Sequence, residues 1–533
     1  MGNTVFKLHK ITLFFSLLGL FLAIPALAQM EPVIQPDQNV VSGEKTQAPI
    51  SQLNQETVKS SALRMGLLSL GNRLTSKFSF SGYLRNETAF RVNRPAAFTK
   101  MVDILNLEPQ YALSRSFQVK SRIRAFYDSV YDFEDVDTIS PRRGPTTPLS
   151  TNPTVEQVSS MEAGNVRNVE IRQQDMELKE LYLDTHFGLM DLRIGKQIVR
   201  WGVVEGARVT DEINPLDLGE FILPEVEDRY IPLWLLKTDF YLGDTTLEAI
   251  WIPDLKFHKP APRESEWEQF RFLPGLEKPA SPIKDPIHNF ENSEFAFRLS
   301  RFILGWDIST SYFYTWDDFP AAFRDVEIPG FSALPQTDPI AFKPRYTRLR
   351  IPGVTLSKSL GKVVLNAEAA YVDGKVFGVR IGSFAGPDPN TETVVLGEIQ
   401  RDFVKYAVGL DTTLWSTDIS GQVLQQYIIK YQTDIIQDQV DTVLGLFLRR
   451  TLFANTLTAQ VLTLYFINDK EWLIRPRLSY GLTDQIKLSF GADLLIGTIS
   501  DVGPERIALP GEFHFVGFFN NNSRVYTEIQ YSF

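Results

Sequence analysis

The sequence contains no cysteine, and only five of its 533 residues are histidine. The chain therefore forms no disulfides and offers no thiolate ligands to a metal ion. With 54 basic and 64 acidic residues, its formal net charge is −10, which excludes the strongly basic surface that is typical of nucleic-acid-binding proteins. Nucleic acid is not an expected partner.

Long apolar runs are also scarce, and the one that is present lies at the amino terminus. A basic stretch, the apolar core "ITLFFSLLGLFLAIP" and the small-residue site "ALA" predict a secretory signal peptide over residues 1–28. An uncleaved transmembrane anchor is the alternative, which the short core and the cleavage site disfavour. Because no later stretch approaches about 18 consecutive apolar residues, no helix after the leader is expected to span a bilayer.

Aromatic residues make up 12% of the chain, yet none lies between Gln29 and Lys77. Residues 29–76 are polar and interrupted by proline, which predicts a flexible segment. Its end, Ser60–Ser76, has leucines at helical spacing and predicts a short helix. That helix is expected either to pack against the rest of the fold or to act as a small plug or a partner-docking helix.

From residue 77 to residue 533, runs of about ten residues alternate between apolar and polar side chains. Short turns such as "YLGDT" and "SLGK" alternate with long polar connections such as 200–231 and 373–402. Short turns at one end and long loops at the other are typical of outer-membrane barrels. Since hydrocarbon offers no partner for backbone N–H and C=O groups, such a sheet must close on itself.

The predicted fold is therefore all-β: a transmembrane, antiparallel, up-and-down β-barrel. The pattern gives about 17 strand candidates, whereas bacterial barrels of this kind have even numbers of strands. We therefore expect 16 or 18 strands, with the miscounted strand between residues 78 and 172. The stretch 128–172 is the place where a strand is most easily hidden.

The carboxyl-terminal stretch "VYTEIQYSF" alternates to its last residue, which predicts a final strand that pairs with the first. A terminal Phe533 with Tyr531 two residues earlier resembles the assembly signal of outer-membrane barrel proteins. The resemblance implies recognition of both residues by the barrel-assembly machinery, and it is compatible with Phe533 simply facing lipid. The expected location is the bacterial outer membrane, with its lipid as a partner.

A barrel of this size leaves an aqueous channel unless something fills it. The strand patterns place several charged side chains inward: Arg122, Arg124, Arg193, Arg348, Arg350, Glu368, Asp411, Asp493 and Glu528. Two interpretations of these residues stay open. They form either a wet wall of compensating salt bridges or a basic strip that attracts anionic solutes.

The connection "RWGVVEGARVTDEINPLDLGEFILPEVEDRY" is the most unusual in the chain, because charges lie beside glycines that permit tight bends. We expect it either to fold into the lumen as a constriction or to remain an external loop. Its candidate constriction residues are Arg200, Trp201, Glu205, Arg208, Asp211, Asn214 and Asp217.

This connection and its flanking strands also carry a family resemblance. "RIGKQIVRWG", "INPLDL" and "IPLWLLKTDFYLGD" together resemble a family of large bacterial outer-membrane barrel proteins of uncharacterised function. "GYLRNETAF" and "VGFFNNNSRVYTEIQYSF" fit the same family, so the resemblance spans most of the chain from residue 78. It implies an outer-membrane barrel and transport, and it carries over no catalytic residue and no substrate.

Catalysis is not expected, since the histidines are scattered and the sequence has no HExxH, Gly-x-Ser-x-Gly or P-loop motif. No cofactor and no metal are expected. The expected function is that of a porin-like channel for small solutes, with a possible preference for anionic ones. Two alternatives are a transporter of an apolar or lipidic molecule with an N-terminal plug, and a structural or receptor barrel that binds partners through long external loops.

Overall fold

The computed structural model describes residues 77–140, 172–262, 265–267, 285–324, 342–378, 398–433, 435, 437–498 and 515–533. The predicted signal peptide, the flexible segment 29–76 and the helix predicted over 60–76 lie outside these residues. The barrel belongs to the unit formed by Gly82–Ser532. A second unit holds residues 1–81 and Phe533, and of it only 77–81 and Phe533 are described.

Among these residues, eighteen strands form one sheet in which each strand is antiparallel to its neighbours. The strands of the sheet are β1 (Phe78–Arg91), β2 (Ala97–Ala112), β3 (Phe117–Asp128), β4 (Gln174–Phe187), β5 (Met190–Gln197), β6 (Leu233–Leu242), β7 (Thr245–Ile252), β8 (Glu294–Ile303), β9 (Trp306–Trp316), β12 (Arg348–Leu360), β13 (Val363–Val372), β16 (Phe403–Leu414), β17 (Thr417–Ile428), β18 (Val440–Leu452), β19 (Leu457–Phe466), β20 (Glu471–Gly481), β21 (Ile486–Ile496) and β22 (Arg524–Ser532).

The remaining elements within the described ranges are short and lie in the long connections. They are the strand pairs β10 (Ala321–Arg324) with β11 (Phe342–Arg345) and β14 (Val376–Gly378) with β15 (Glu398–Gln400), the helices α1 (Val130–Phe133), α2 (Val136–Ile139) and α3 (Val226–Arg229), and a 3₁₀ helix (Gly517–Asn522). None of these helices has the length and apolarity needed to cross a membrane.

The sheet is closed, because β1 pairs with β22 as well as with β2. Along this seam Leu84 lies opposite Tyr531, and Arg91 lies opposite Arg524. The prediction that the last strand pairs with the first is confirmed, and 18 is one of the two predicted strand numbers. The role of Tyr531 and Phe533 as an assembly signal stays a prediction.

The two ends of the barrel differ in the length of their connections. Turns of two residues, for example 188–189 and 361–362, lie at one end, while the other end carries connections such as 129–173 and 198–232. Three strands, β1 to β3, lie between Phe78 and Asp128, within the range where the miscounted strand was expected. In the stretch where a hidden strand was expected, residues 129–140 contain α1 and α2, and residues 141–171 lie outside the described part.

The outer face of the barrel is apolar. Ile194, Leu410, Phe490 and Ile529 all point outward and are 44–56% exposed. Their neighbours along the strands point the other way, as the two-residue period of a strand requires; Ser489, next to Phe490, is 5% exposed. In water this exterior would be unfavourable by about 25 cal/mol for each Å² of apolar surface, so the face is suited to hydrocarbon.

Candidate constriction inside the barrel

Residues 198–232 connect β5 to β6 and are termed the inner loop. Side chains from strands around the whole ring contact it. On one side, Glu368 of β13 accepts a hydrogen bond from the Val204 amide at 3.1 Å. On the other, Arg85 of β1 donates one to Asp228 at 2.6 Å. Since β1 and β13 are eight strands apart in a ring of eighteen, the inner loop crosses the lumen, which is the placement that the constriction hypothesis requires.

Glu368 anchors the first half of the inner loop. Its buried carboxylate also accepts hydrogen bonds from the Thr210 amide at 3.2 Å and the Thr210 hydroxyl at 2.6 Å. Gly202 lies beside it with φ +95°, and a Cβ at this position would lie 3.1 Å from Glu368 Oε2. A glycine is favoured here both by the backbone conformation and by the close approach of the carboxylate.

Two of the predicted constriction residues bind each other. The Trp201 amide donates to Asp211 Oδ1 at 2.8 Å, and the Tyr230 hydroxyl donates to the other carboxylate oxygen. Burial raises the pKa of Asp211, and the hydrogen bonds from Tyr230 and Trp201 limit the rise. The Trp201 indole N–H reaches the barrel wall, where it donates to Glu248 of β7 at 3.0 Å.

Arg208 and Asn214 bind backbone groups of the inner loop itself. The Arg208 guanidinium donates to the carbonyl oxygens of Asp211 and Asn214 at 2.9 and 2.8 Å. The Asn214 side chain accepts from the Val199 amide and donates to the Ile231 carbonyl, both at 2.8 Å. These contacts join the beginning, middle and end of the loop, so its fold is set locally and not only by the wall.

The other three candidates are at least partly exposed. Arg200 forms an exposed ion pair with Glu227 at 2.7 Å, and Glu205 is exposed. Asp217 binds Arg172 at 2.8 Å. An exposed pair such as the first adds little to stability.

Apolar packing holds the inner loop against two parts of the wall. In its first half, Val204, Val209 and Ile213 pack with inward residues of β6 to β16, including Leu235 and Ile351. In its second half, Phe221 and Leu223 pack with residues of β20, β21 and the 3₁₀ helix. Each fully buried aliphatic or aromatic side chain contributes about 1.5–3 kcal/mol, which makes the loop a fixed part of the lumen.

This packing corrects the prediction for two arginines of β12. Leu349 and Ile351 are buried in the apolar cluster with the inner loop, so Arg348 and Arg350 face outward and not into the lumen. The Arg348 guanidinium lies 4.0 Å from the Trp316 ring centroid, and Arg350 is 60% exposed. The physical reason is that the inner loop fills this part of the lumen with apolar side chains. At this end of β12 the apolar side chains therefore face inward and the arginines face outward.

The other predicted wall residues face inward and are paired. Arg124 binds Asp228 of the inner loop at 2.8 Å. Arg122 lies 3.2 Å from Glu108, and Arg193 lies 3.1 Å from Asp184. Asp411 accepts a hydrogen bond from Asn366 at 2.7 Å. The structure thus brings Arg124 and Glu368 to the inner loop, and it places the other three in contacts along the wall.

A buried carboxylate of β21 supports the second half of the loop from the wall. Asp493 is fully buried and accepts from Arg475 Nε at 2.7 Å and from Arg524 Nε at 2.8 Å. Arg475 also donates to the Leu223 carbonyl at 2.6 Å, and Arg524 lies 3.4 Å from Glu220. The carboxylate therefore orients two arginines that hold the inner loop.

His258, in the connection between β7 and β8, also contacts the inner loop. Its Nδ1 accepts a hydrogen bond from the Leu216 amide at 2.9 Å, so this nitrogen carries no proton. Burial, with Arg208 nearby, lowers the pKa of His258 to about 3. The imidazole is therefore a neutral acceptor that positions the loop.

A cavity of about 210 Å³ remains between the inner loop and the wall formed by β1 to β4. Seven basic and nine acidic side chains line it: Lys100, Arg124, Arg172, Lys179, Arg229, Lys259 and Arg524, with Glu87, Asp128, Asp175, Glu177, Asp217, Glu220, Glu225, Asp228 and Glu266. The lining is a mixture of both charges, so the cavity is wet and contains no continuous basic strip. Within the described ranges, no three histidine or acidic side chains form a group suited to a metal ion.

Arg229 differs from the other basic residues of this cavity. It forms no ion pair with any residue that the structure describes. Its Nε is also buried without a hydrogen-bond partner, as is the Nε of Arg124. Burial, together with Arg475 and Arg208, lowers its pKa to about 10, so it remains a cation. The sequence does not indicate that Arg229 lacks a paired carboxylate, because "EVEDRY" is simply one more charged stretch in a loop.

A family model described as "Protein of unknown function (DUF1302)" matches residues 85–472. No curated protein matches the chain. Among solved structures, OccK8 (OprE) from Pseudomonas aeruginosa has 11% sequence identity and a TM-score of 0.44, with 86% of this chain and 98% of that chain covered. A BenF-like porin from Pseudomonas fluorescens Pf-5 has 9% identity and a TM-score of 0.44, with the same two coverages.

Proposed function

The chain belongs to the DUF1302 family of proteins of unknown function, and we propose that it is a channel of the bacterial outer membrane through which small polar solutes diffuse. The inner loop carries this proposal. It crosses the lumen, is fixed to strands on both sides, and leaves a charged cavity of about 210 Å³ beside the wall. A fixed loop that narrows a wet lumen selects solutes by size.

The location in the outer membrane is supported by the closed sheet and its apolar exterior. A closed barrel satisfies every backbone hydrogen bond without water. Charged side chains of the strands such as Arg124, Arg193 and Asp411 point into the lumen, where ion pairs and hydrogen bonds stabilise them. No reaction is part of the proposal, since solutes move down their own gradient.

The proposal predicts solute uptake by vesicles that contain the purified protein. Swelling rates should be measured for neutral, anionic and cationic solutes of increasing size, with protein-free vesicles as the control. We expect small polar solutes to enter, and the rate to fall steeply as solutes grow, because the inner loop leaves a narrow path. Absence of uptake for every solute would contradict the channel. Co-purification of an apolar ligand in that case would favour the transporter of apolar molecules.

We propose further that Arg229 eases the passage of anions and so opposes the cation preference that the acidic excess of the cavity favours. The other charged residues that line the cavity are six basic and nine acidic, so the rest of the lining is acidic. Each of the six other basic residues lies beside a carboxylate, whereas Arg229 has no paired carboxylate among the described residues. A unit charge about 10 Å from a passing ion contributes ~0.4 kcal/mol in water, which is about a twofold effect on permeability.

Arg229→Gln should therefore lower the anion-to-cation permeability ratio about fourfold, because the charge favours an anion and disfavours a cation by the same ~0.4 kcal/mol. Reversal potentials in a salt gradient measure the ratio. Arg350→Gln is the matched control, because Arg350 lies on the outer face and should leave the ratio unchanged. An unchanged ratio in the Arg229 variant, or an equal drop in the Arg350 variant, would refute the role of Arg229.

A further inference from the structure

The outer wall of the barrel contains a groove of about 440 Å³ on strands β18 to β21. Its lining includes the small side chains Ala459 and Ala492, with Leu448, Leu478 and Phe490 around them. Leu478 and Phe490 are 46% and 56% exposed, so this groove opens outward and not into the lumen. Its surface is almost entirely apolar, which suits a hydrocarbon chain.

The groove has a local cause in β20. Residues of β20 and β21 are paired up to Ile474 and Leu494, and they are paired again from Arg477 and Gly491. Between these positions, Arg475 and Pro476 are not paired with β21. Proline has no N–H to donate to a neighbouring strand. The ladder is interrupted at this point, and the small Ala492 leaves the outer surface indented beside it.

A basic residue lies at one end of the groove. Arg450 lies opposite Thr417 on one side and Ala459 on the other, close to the four-residue turn 453–456. It shares its face with Leu446 and Leu448, and it forms no ion pair with a described residue. Arg449 points the other way and binds Asp418 at 3.0 Å.

The position of Arg450 favours a bound anion. A lipid-facing arginine is strongly unfavourable at the bilayer midplane but much less so near the interface, so Arg450 is tolerated at the rim. Its planar guanidinium binds phosphate oxygens in a bidentate manner. The end that carries short turns faces the periplasm in barrels of this kind, which excludes lipopolysaccharide of the opposite leaflet as the occupant.

We propose that this groove is a binding site for one anionic glycerophospholipid, with an acyl chain on the apolar surface and the phosphate on Arg450. The chemistry of the groove matches both parts of such a molecule. The site lies on the opposite face of the wall from the solute path, so it is independent of the proposed channel activity.

Native mass spectrometry of the full protein, released from detergent after incubation with phosphatidylglycerol, tests the site. We expect the wild type to retain one lipid. Arg450→Gln should weaken retention about tenfold, since it removes a charge-assisted contact. Ala459→Phe should weaken it by filling the groove while leaving Arg450 in place. Folding of each variant is checked by its heat-dependent migration on a gel.

Arg301→Gln is the matched control. Arg301 is an exposed residue of β8 near the turn 304–305, at the same end of the barrel but outside the groove. We expect lipid retention equal to that of the wild type. Equal retention by the wild type and both groove variants, or an equal loss in the Arg301 variant, would overturn the proposal.

Discussion

Removal of residues 206–218 from the inner loop should raise the single-channel conductance about two- to fivefold. A barrel of eighteen strands is wide enough for an aqueous channel when nothing fills it, and this segment carries part of the packing that narrows the lumen. The deletion also removes Thr210 and Glu212, and with them the contacts to Glu368 and Lys405. Recordings in planar bilayers measure the change.

A variant with the same segment replaced by glycine and serine keeps the loop length but loses its anchors, and it should also conduct better. Glu368→Ala should give a smaller increase, because it removes three hydrogen bonds to the loop. Asp411→Ala is the control, since Asp411 faces inward but binds Asn366 on the wall. Unchanged conductance in both loop variants would count against the constriction.

Asp493→Ala should lower the free energy of unfolding by about 3–5 kcal/mol, because it leaves Arg475 and Arg524 as buried charges without their shared partner. Urea unfolding in lipid vesicles, followed by tryptophan fluorescence, measures the loss. The same substitution should loosen the second half of the inner loop, which Arg475 holds through the Leu223 carbonyl.

The matched control for this experiment is Asp418→Ala. Asp418 also pairs with an arginine, Arg449, but both side chains are about half exposed. An exposed ion pair contributes only ~0–1 kcal/mol, so a small loss is expected. Losses of similar size in the two variants would show that burial of Asp493 has no special effect.

The architecture was largely predictable because a strand repeats every two residues. In β16, for example, Tyr406, Val408 and Leu410 are exposed on the outer face, while Lys405 and Ala407 are buried on the inner face. Such alternation separates two faces, and closure follows from the needs of the backbone in hydrocarbon. The long connection after β5 was also recognisable as unusual from its charges and glycines.

The contents of the lumen were less predictable. Alternation in β12 separates Arg348 and Arg350 from Leu349 and Ile351, but the pattern does not say which face is inward. The answer depends on the inner loop, whose contact between Val204 and Glu368 joins residues 164 positions apart. Pairing over such a distance has no local signal, and the same holds for the position of Arg229.

The contacts of the inner loop also link it to the closure of the barrel. Asp228 binds Arg85 and Arg124 near the beginning of the barrel sequence, whereas Glu225 binds Arg477 near its end. These partners lie on strands from both ends of the barrel sequence, so the inner loop has its full set of partners only when those strands belong to the same ring. Closure of the ring and narrowing of the passage are therefore linked, because the strands that close the barrel also carry anchors of the loop.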